Sequence, residues 1–387
     1  MDQNSSISPM VLHGDLVHDI AYDYYGDRVA TCSSDRTIKV WQPFGEAKSQ
    51  WECCASWNAH EGSILSIAWA PPHICGPGVL ASSSTDRKVV LWEERRRNAA
   101  DAWLMLAQLV DSRDEVRGVA FSAGGSTRVY LASASADGVL RIYEAVDPAN
   151  LHQWPLVHEM LAAKSASLAL NCVQWCASTI RMSEAEPNAL VVGADGTCAF
   201  VWSSENENVW KLAVMLDTSL APGQDVQHDT PASVSLRNAS GSLAGSMPIV
   251  SPLTAASGTQ VVARGIPGNS NESDAVLSVS WALNVGREYH LIAVGTRSGK
   301  VCVFAVDPEF LIRVSQERRL APVVVLTDHQ PAKVQRVAWN ITGTLLASSD
   351  DNGNLKIWQP ALDDMHGEWK CMGMVNNIQQ GDPTNAF

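Results

Sequence analysis

The stretch Thr31-Cys32-Ser33-Ser34-Asp35-Arg36-Thr37-Ile38-Lys39-Val40-Trp41 decides the fold class. Small residues lead into a polar turn at Asp35 and Arg36, and beyond it apolar and polar residues alternate up to Trp41. Alternation with a period of two on both sides of a tight turn is the pattern of two paired strands with one buried face. Five further segments run the same way and close on Trp92, Tyr143, Trp202, Phe304 and Trp358. Upstream of each closing aromatic stands an aliphatic residue two before an aromatic: Ile20/Tyr22, Ile67/Trp69, Val119/Phe121, Val173/Trp175, Val279/Trp281 and Val337/Trp339. Downstream of each, one more strand is expected, over 51–57, 103–110, 154–160, 210–216, 323–326 and 369–375. Those three elements give four strands in each of six units, and all 14 tryptophans fall on or beside them.

Four short strands repeating at about 40–45 residues or a little more are the signature of a WD40 β-propeller. The closing aromatics lie 51, 51, 59, 102 and 54 residues apart. The expected fold is therefore all-β, one six-bladed propeller over 1–387, with blades at about 13–57, 60–110, 111–160, 165–216, 274–326 and 329–375. The wide spacing is explained by residues 217–273, which are rich in Ser, Ala, Gly, Pro, Thr and Asn and carry no aromatic. Such a segment buries too little apolar surface to offset the entropy of ordering, so it reads as a disordered insert between the fourth and fifth blades. Residues 376–387 read as a flexible tail.

Composition narrows the function. The chain carries 28 basic and 41 acidic residues, a net charge of −13, and Arg95-Arg96-Arg97 is its only basic run. That balance argues against wrapping nucleic acid, because phosphate binding needs clustered Lys and Arg. No apolar run reaches the roughly 18 residues of a membrane-spanning helix, and Met1–Met10 lacks the basic-then-apolar pattern of a secretory signal. Nine cysteines without framework or metal-ligand spacing read as reduced, partly buried thiols of the cytosol or nucleus. No phosphate-cradling glycine loop, paired carboxylates or activated nucleophile is present, so no catalytic, cofactor or metal residue and no small-molecule substrate is expected.

In WD40 blades an Asp in the turn six residues before the closing aromatic bonds a His from the loop that opens the unit. Asp35, Asp86 and Asp137 hold the Asp position, and His13 and His60 stand seven residues before Ile20 and Ile67. His329 is expected to face Asn352 in a neutral pair, Asp111 occupies the third unit's His position, and Ser298 occupies the fifth unit's Asp position. A usual propeller closes by lending an N-terminal strand to the last blade. Here residues 368–375 already offer the last unit its fourth strand, and only Ser6–Leu12 precede the first unit as a strand-like run. Either six self-sufficient blades close unaided, or an unpaired edge awaits strands from another chain. The seam residues would then be Met10, Val11 and Val17 on one side and Trp369 and Met372 on the other.

Several phrases are more specific than the repeat. Residues 13–23 (HisGlyAspLeuValHisAspIleAlaTyrAsp), 30–41, 54–60 (CysAlaSerTrpAsnAlaHis) and 109–116 (LeuValAspSerArgAspGluVal) resemble the SEH-type WD40 nucleoporins. Residues 136–145, 150–154, 339–349 (TrpAsnIleThrGlyThrLeuLeuAlaSerSer) and 369–373 (TrpLysCysMetGly) continue the likeness across nearly all six units. The resemblance implies a non-catalytic scaffold in the Y-shaped coat of the nuclear pore, with mRNA export, protein transport and pore assembly as its processes. It implies an open propeller that accepts a blade in trans from an α-solenoid nucleoporin, alongside the other nucleoporins of that complex. It also implies service in the SEA/GATOR nutrient-signalling coat at the lysosome or vacuole, and a location at the nuclear envelope, that membrane surface and the cytoplasm, without insertion into the bilayer. The insert at 217–273 is longer than this family usually shows.

Two other readings stay open. The small propeller of the COPII vesicle coat shares the architecture, although 109–116 and 339–349 fit it less well. A peptide-reading adaptor would use a ring of charge at one mouth, for which Arg36, Arg87 and Arg141 are candidates.

Overall fold

The computed structural model describes residues 13–45, 50–75, 78–95, 103–122, 128–147, 151–161, 168–176, 188–206, 209–223, 274–284, 286–312, 314, 318–360 and 369–375. Met10, Val11, most of the expected insert and the expected tail lie outside them.

Six antiparallel sheets follow one another along the chain, each a blade of four strands in sequential order from the axis outward. Blade 1 holds β1 (Val17–Tyr22), β2 (Val29–Ser33), β3 (Thr37–Phe44) and β4 (Gln50–Asn58). Blade 2 holds β5 (Ile64–Trp69), β6 (Val79–Ser84), β7 (Val89–Glu94) and β8 (Trp103–Leu109), with a one-turn helix α1 (Pro72–Cys75) between β5 and β6. Blade 3 comprises β9 (Val116–Phe121), β10 (Tyr130–Ser135), β11 (Val139–Glu144) and β12 (Leu156–Leu161). Blade 4 comprises β13 (Leu170–Trp175), β14 (Asn188–Ala194), β15 (Cys198–Asn206) and β16 (Val209–Asp217). Blade 5 is formed by β17 (Val276–Trp281), β18 (His290–Thr296), β19 (Val301–Val306) and, after α2 (Pro308–Ile312) and β20 (Arg318–Leu320), by β21 (Val324–Leu326). Blade 6 is β22 (Val334–Trp339), β23 (Leu346–Asp350), β24 (Leu355–Pro360) and β25 (Trp369–Val375). The protein is an all-β, six-bladed propeller, as the repeated endings lead one to expect.

The closing hairpins follow from local chemistry. In blade 1 the Asp35 carboxylate accepts the Thr37 N–H at 2.9 Å, and the Ser33 hydroxyl accepts the Asp35 N–H at 3.0 Å. The same two bonds recur at Asp86 with Lys88 and Ser84, and at Asp137 with Val139 and Ser135. The next residue adopts a left-handed backbone, Gly138, Gly299 and Gly353 in three blades but Arg36 and Arg87, each at φ 69°, in the first two. Each inner strand also carries an irregularity near its start, as between Val17 and Asp19, Ile64 and Ser66, and Val334 and Arg336. A bulge there increases twist where six strands converge on one axis.

Three details depart from the sequence expectation. Asp217 belongs to β16 rather than to the insert: it is buried and its carboxylate meets Arg319 at 2.6 Å. Arg319 lies on β20, which adds in parallel to the outer edge of blade 4, so a segment from the fifth unit covers the fourth. Trp154 stands two residues before β12 rather than on it, buried, with its indole donating to the Leu151 carbonyl at 2.8 Å.

Candidate functional site

Each blade is a sheet whose two faces must be covered by its neighbours. Among the described residues, apolar cores fill the spaces between blades 1 and 2, 2 and 3, 3 and 4, 4 and 5, and 5 and 6. A closed ring of six blades has six such spaces. The sixth, between blade 6 and blade 1, holds no apolar core among these residues.

The aliphatic anchors of the inner strands show the difference position by position. Ile67, Val119, Val173, Val279 and Val337 are 4, 4, 8, 8 and 5 % exposed, each pressed against the preceding blade, whereas Ile20 is 59 % exposed. Tyr22, two residues on, is 63 % exposed, against 2 % for Trp281 at the same place in blade 5. Leu16 and Val17 are exposed beside them. Blade 6 mirrors this on its own free side. Ile38, facing blade 2, is fully buried; its counterpart Leu355 is 36 % exposed, and Ala338 on β22 is exposed where Ala21 of β1 is half-buried. Two apolar members of the blade 1 face are buried: Val29, 8 % exposed and paired with both Tyr22 and Trp41, and Trp41, whose indole donates to the Thr31 hydroxyl at 2.9 Å.

Among the described residues, the two sides meet near the axis through the Arg336 side chain. Around the ring, neighbouring inner strands pack closely side by side, from β1 and β5 through to β17 and β22; β22 and β1 do not. Arg336 of β22 reaches across, 3.0 Å from an Asp19 carboxylate oxygen and donating to the His18 carbonyl at 2.9 Å. The other Asp19 oxygen accepts the Ser66 hydroxyl at 2.9 Å and the Ile67 N–H at 3.1 Å. Asp19, Ser66, Gly118, Cys172, Ser278 and Arg336, each one before its anchor, line an axial cavity of about 200 Å³. Burial pushes the Cys172 thiol up to about 12, which keeps it protonated and inert.

Of the expected seam residues, Val17 (45 % exposed) lies on the bare face of β1 and Met372 is exposed on β25. Trp369 is not at the seam: it packs edge-on against Trp339, ring centres 6.0 Å apart, within the core between blades 5 and 6. The alternation along β25 points it inward, because it sits opposite Pro360, two residues beyond the inward-facing Trp358.

The expected His–Asp positions resolve into a set of buried struts. His13 Nδ1 lies 3.0 Å from Asp35 and His60 Nδ1 2.9 Å from Asp86. Beyond them the chains run on, His60 Nε2 to the Ser82 hydroxyl at 2.8 Å and Trp92 Nε1 to the same oxygen at 2.9 Å, with Thr31 and Trp41 doing the same in blade 1. The hydroxyl partners were missed in the sequence, although Thr31, Ser82 and Ser348 each stand ten residues before the closing tryptophan. His329 pairs with Asp350 at 2.9 Å and not with Asn352. Asp350 occupies the strand-end place that Ser33 and Ser84 hold elsewhere; one carboxylate oxygen caps the turn through the Asn352 N–H at 3.0 Å while the other meets His329. Burial alone would raise the Asp86 and Asp350 carboxyls, yet the bonds from His60 and His329 and from nearby amide groups hold both below their ordinary value.

Blade 3 uses different parts. Arg141, fully buried, lies 2.8 Å from Asp137 and 3.1 Å from Glu159, and Asp111 bonds the Tyr143 hydroxyl in place of a histidine. Arg141 is buried inside blade 3, which removes it from any charged mouth, whereas Arg36 and Arg87 are exposed on the tight turns of blades 1 and 2. Ser298 in blade 5 pairs with the Thr296 hydroxyl at 3.0 Å. No group of three or more metal-ligating side chains occurs among the described residues.

The comparisons with known proteins fit this architecture. The WD domain, G-beta repeat family matches residues 6–42, 51–93, 105–144 and 320–359. The chain is 33 % identical to nucleoporin SEH1-A of Xenopus laevis over 96 % of its own length and 88 % of that protein's. This chain belongs to the SEH1 nucleoporin family. Nucleoporin SEH1 of Homo sapiens is 32 % identical over 97 % of the chain and 88 % of the relative. Among solved structures, U3-55K aligns at a TM-score of 0.58 with 13 % identity, covering 95 % of this chain and 84 % of that one, a likeness of fold alone. Membership in a nucleoporin family makes the chain a structural subunit of that kind, and among the described residues the seam between blades 6 and 1 is where apolar surface is exposed.

Proposed function

We propose that this chain is a non-catalytic scaffold subunit of the nuclear pore coat, and that it joins its partner by accepting a foreign blade between blades 6 and 1. One observation carries the reading: among the described residues five apolar cores serve six blades, and the anchor Ile20 stands 59 % exposed where its five equivalents are at most 8 %. Bare, pleated, blade-shaped faces on both sides of one gap call for another blade, since only a sheet edge-on to the axis covers both at once. Burial of those faces supplies most of the affinity, and strand geometry supplies the register. An interface of this kind buries on the order of 2,000 Å² or more and is obligate in character.

The occupant favoured by the family likeness is a strand-rich segment of an α-solenoid nucleoporin in the Y-shaped complex, which places this chain at the nuclear envelope beside the complex's other nucleoporins. The same seam would serve a solenoid of the SEA/GATOR coat at the lysosome or vacuole that carries a comparable blade. Co-expression with a full-length α-solenoid nucleoporin tests the reading. Amide exchange over Val17–Tyr22 and Leu355–Pro360 is expected to slow at least tenfold in the complex, and unchanged exchange there, in a complex that forms, would place the contact elsewhere.

A further inference from the structure

The built interfaces show what an incoming blade must carry. In three of them the aromatic of the inner strand sends its indole N–H back to the carbonyl just before the preceding blade's aromatic. Trp69 donates to Ala21 at 3.0 Å, Trp175 to Ala120 at 2.9 Å and Trp339 to Ser280 at 3.1 Å. At the seam the equivalent acceptor is the carbonyl of Ala338, and among the described residues no indole reaches it. Two residues before each of these aromatics an aliphatic side chain enters the intervening core, and one residue earlier still a side chain faces the axis, where Ser66 donates to Asp19.

We propose that the seam reads the inner strand of its partner as a hydroxyl residue, an aliphatic residue, any residue and then tryptophan. This rests on the blade-acceptance reading above and adds the identity of the strand accepted. When blades 6 and 1 part to admit it, Arg336 loses Asp19 and the His18 carbonyl. A Ser or Thr at the first position lies between the Arg336 guanidinium and the Asp19 carboxylate, and one hydroxyl accepts from the first while donating to the second. An acidic residue there would abut Asp19, and a basic one would abut Arg336. The aliphatic second residue fills the space against blade 6 that Ile67 fills against blade 1, and the tryptophan donates to Ala338. Tyr22 of blade 1 in turn points its ring at the newcomer. The chain contains the pattern twice, in Ser66-Ile67-Ala68-Trp69 and Ser278-Val279-Ser280-Trp281.

The test appends a copy of residues 59–110 to the C-terminus of the full chain as a seventh blade in cis and randomises the four positions copied from 66–69. Displayed variants are sorted for survival of protease challenge at raised temperature. The expected survivors carry Ser or Thr first, Ile, Val or Leu second and Trp fourth, each class favoured at least tenfold over the other residues at its position. In an Arg336→Glu background the first position is expected to turn to Lys or Arg. If the appended blade protects the chain but the first and fourth positions show no preference, the recognition pattern is wrong while the open seam stands. If no variant outlasts the chain without the added blade, the seam takes no blade and both readings fall.

Discussion

Ile20 and Ile67 hold the same place in successive blades, one on a bare face and one inside a core, so truncating each to Ala separates an open seam from a sealed one. Ile67 is 4 % exposed, and removing its side chain forfeits transfer energy and leaves a cavity, a cost of about 2–4 kcal/mol. Ile20 is 59 % exposed, so only about four-tenths of the roughly 1.5–3 kcal/mol of full burial is at stake, about 0.6–1.2 kcal/mol, with no enclosed cavity. Urea unfolding of the isolated chain, read by tryptophan fluorescence, gives both values from the midpoint shift at constant slope. In the presence of a partner that fills the seam the order changes for binding. The exposed six-tenths of Ile20 then contributes about 0.9–1.8 kcal/mol, so Ile20→Ala weakens association about 5- to 20-fold. A cost for Ile20→Ala in the isolated chain as large as that for Ile67→Ala would mean that another part of the chain seals the seam in solution, and the argument for a foreign blade would fail.

Three further outcomes follow from named contacts. Asp350→Ala removes the partner of buried His329 and should cost about 2–4 kcal/mol, more than Asn352→Ala; denaturant titration of the two distinguishes which residue holds the histidine. The carboxyls of Asp35, Asp86, Asp137 and Asp350 lie below their ordinary value of 3.8 in the folded chain, so the unfolded chain binds more protons. Their contribution is therefore complete by about pH 5, above the unfolded value, and lost as pH falls through the folded values, so urea midpoints should climb between about pH 2 and pH 5. Arg87→Gly relieves a left-handed residue at φ 69° and should stabilise by about 0.5–1 kcal/mol, visible as a raised unfolding midpoint; a loss of stability would show that the Arg87 side chain matters more than its backbone.

Particular residues show where sequence reasoning stops. The closing hairpins were legible because their determinants are local: an Asp two residues before the amide it caps, a small or left-handed residue after it, and strict alternation up to an aromatic. The histidine partnership of blade 6 was not legible by offset, because Asp350 and Asn352 are neighbours in the turn and only the direction of each side chain chooses between them. Trp369 misled for a related reason: adjacent residues of a strand face opposite sides, and a bulge between Ile357 and Trp358 shifts the count along β25. The parallel addition of β20 to blade 4 could not be read at all, since three residues carry no period.

What the amino acids alone settled is the repeated unit, six times over, since each blade is built from contacts within about fifty consecutive residues and its code is short-ranged. What the folded chain alone decided is how the units meet. Ile20 and Ile67 are the same residue type in the same local pattern, and no property of their neighbours in the chain distinguishes them; one lies against a core and the other against solvent because burial depends on what another blade, some three hundred residues away in sequence, brings to the same place.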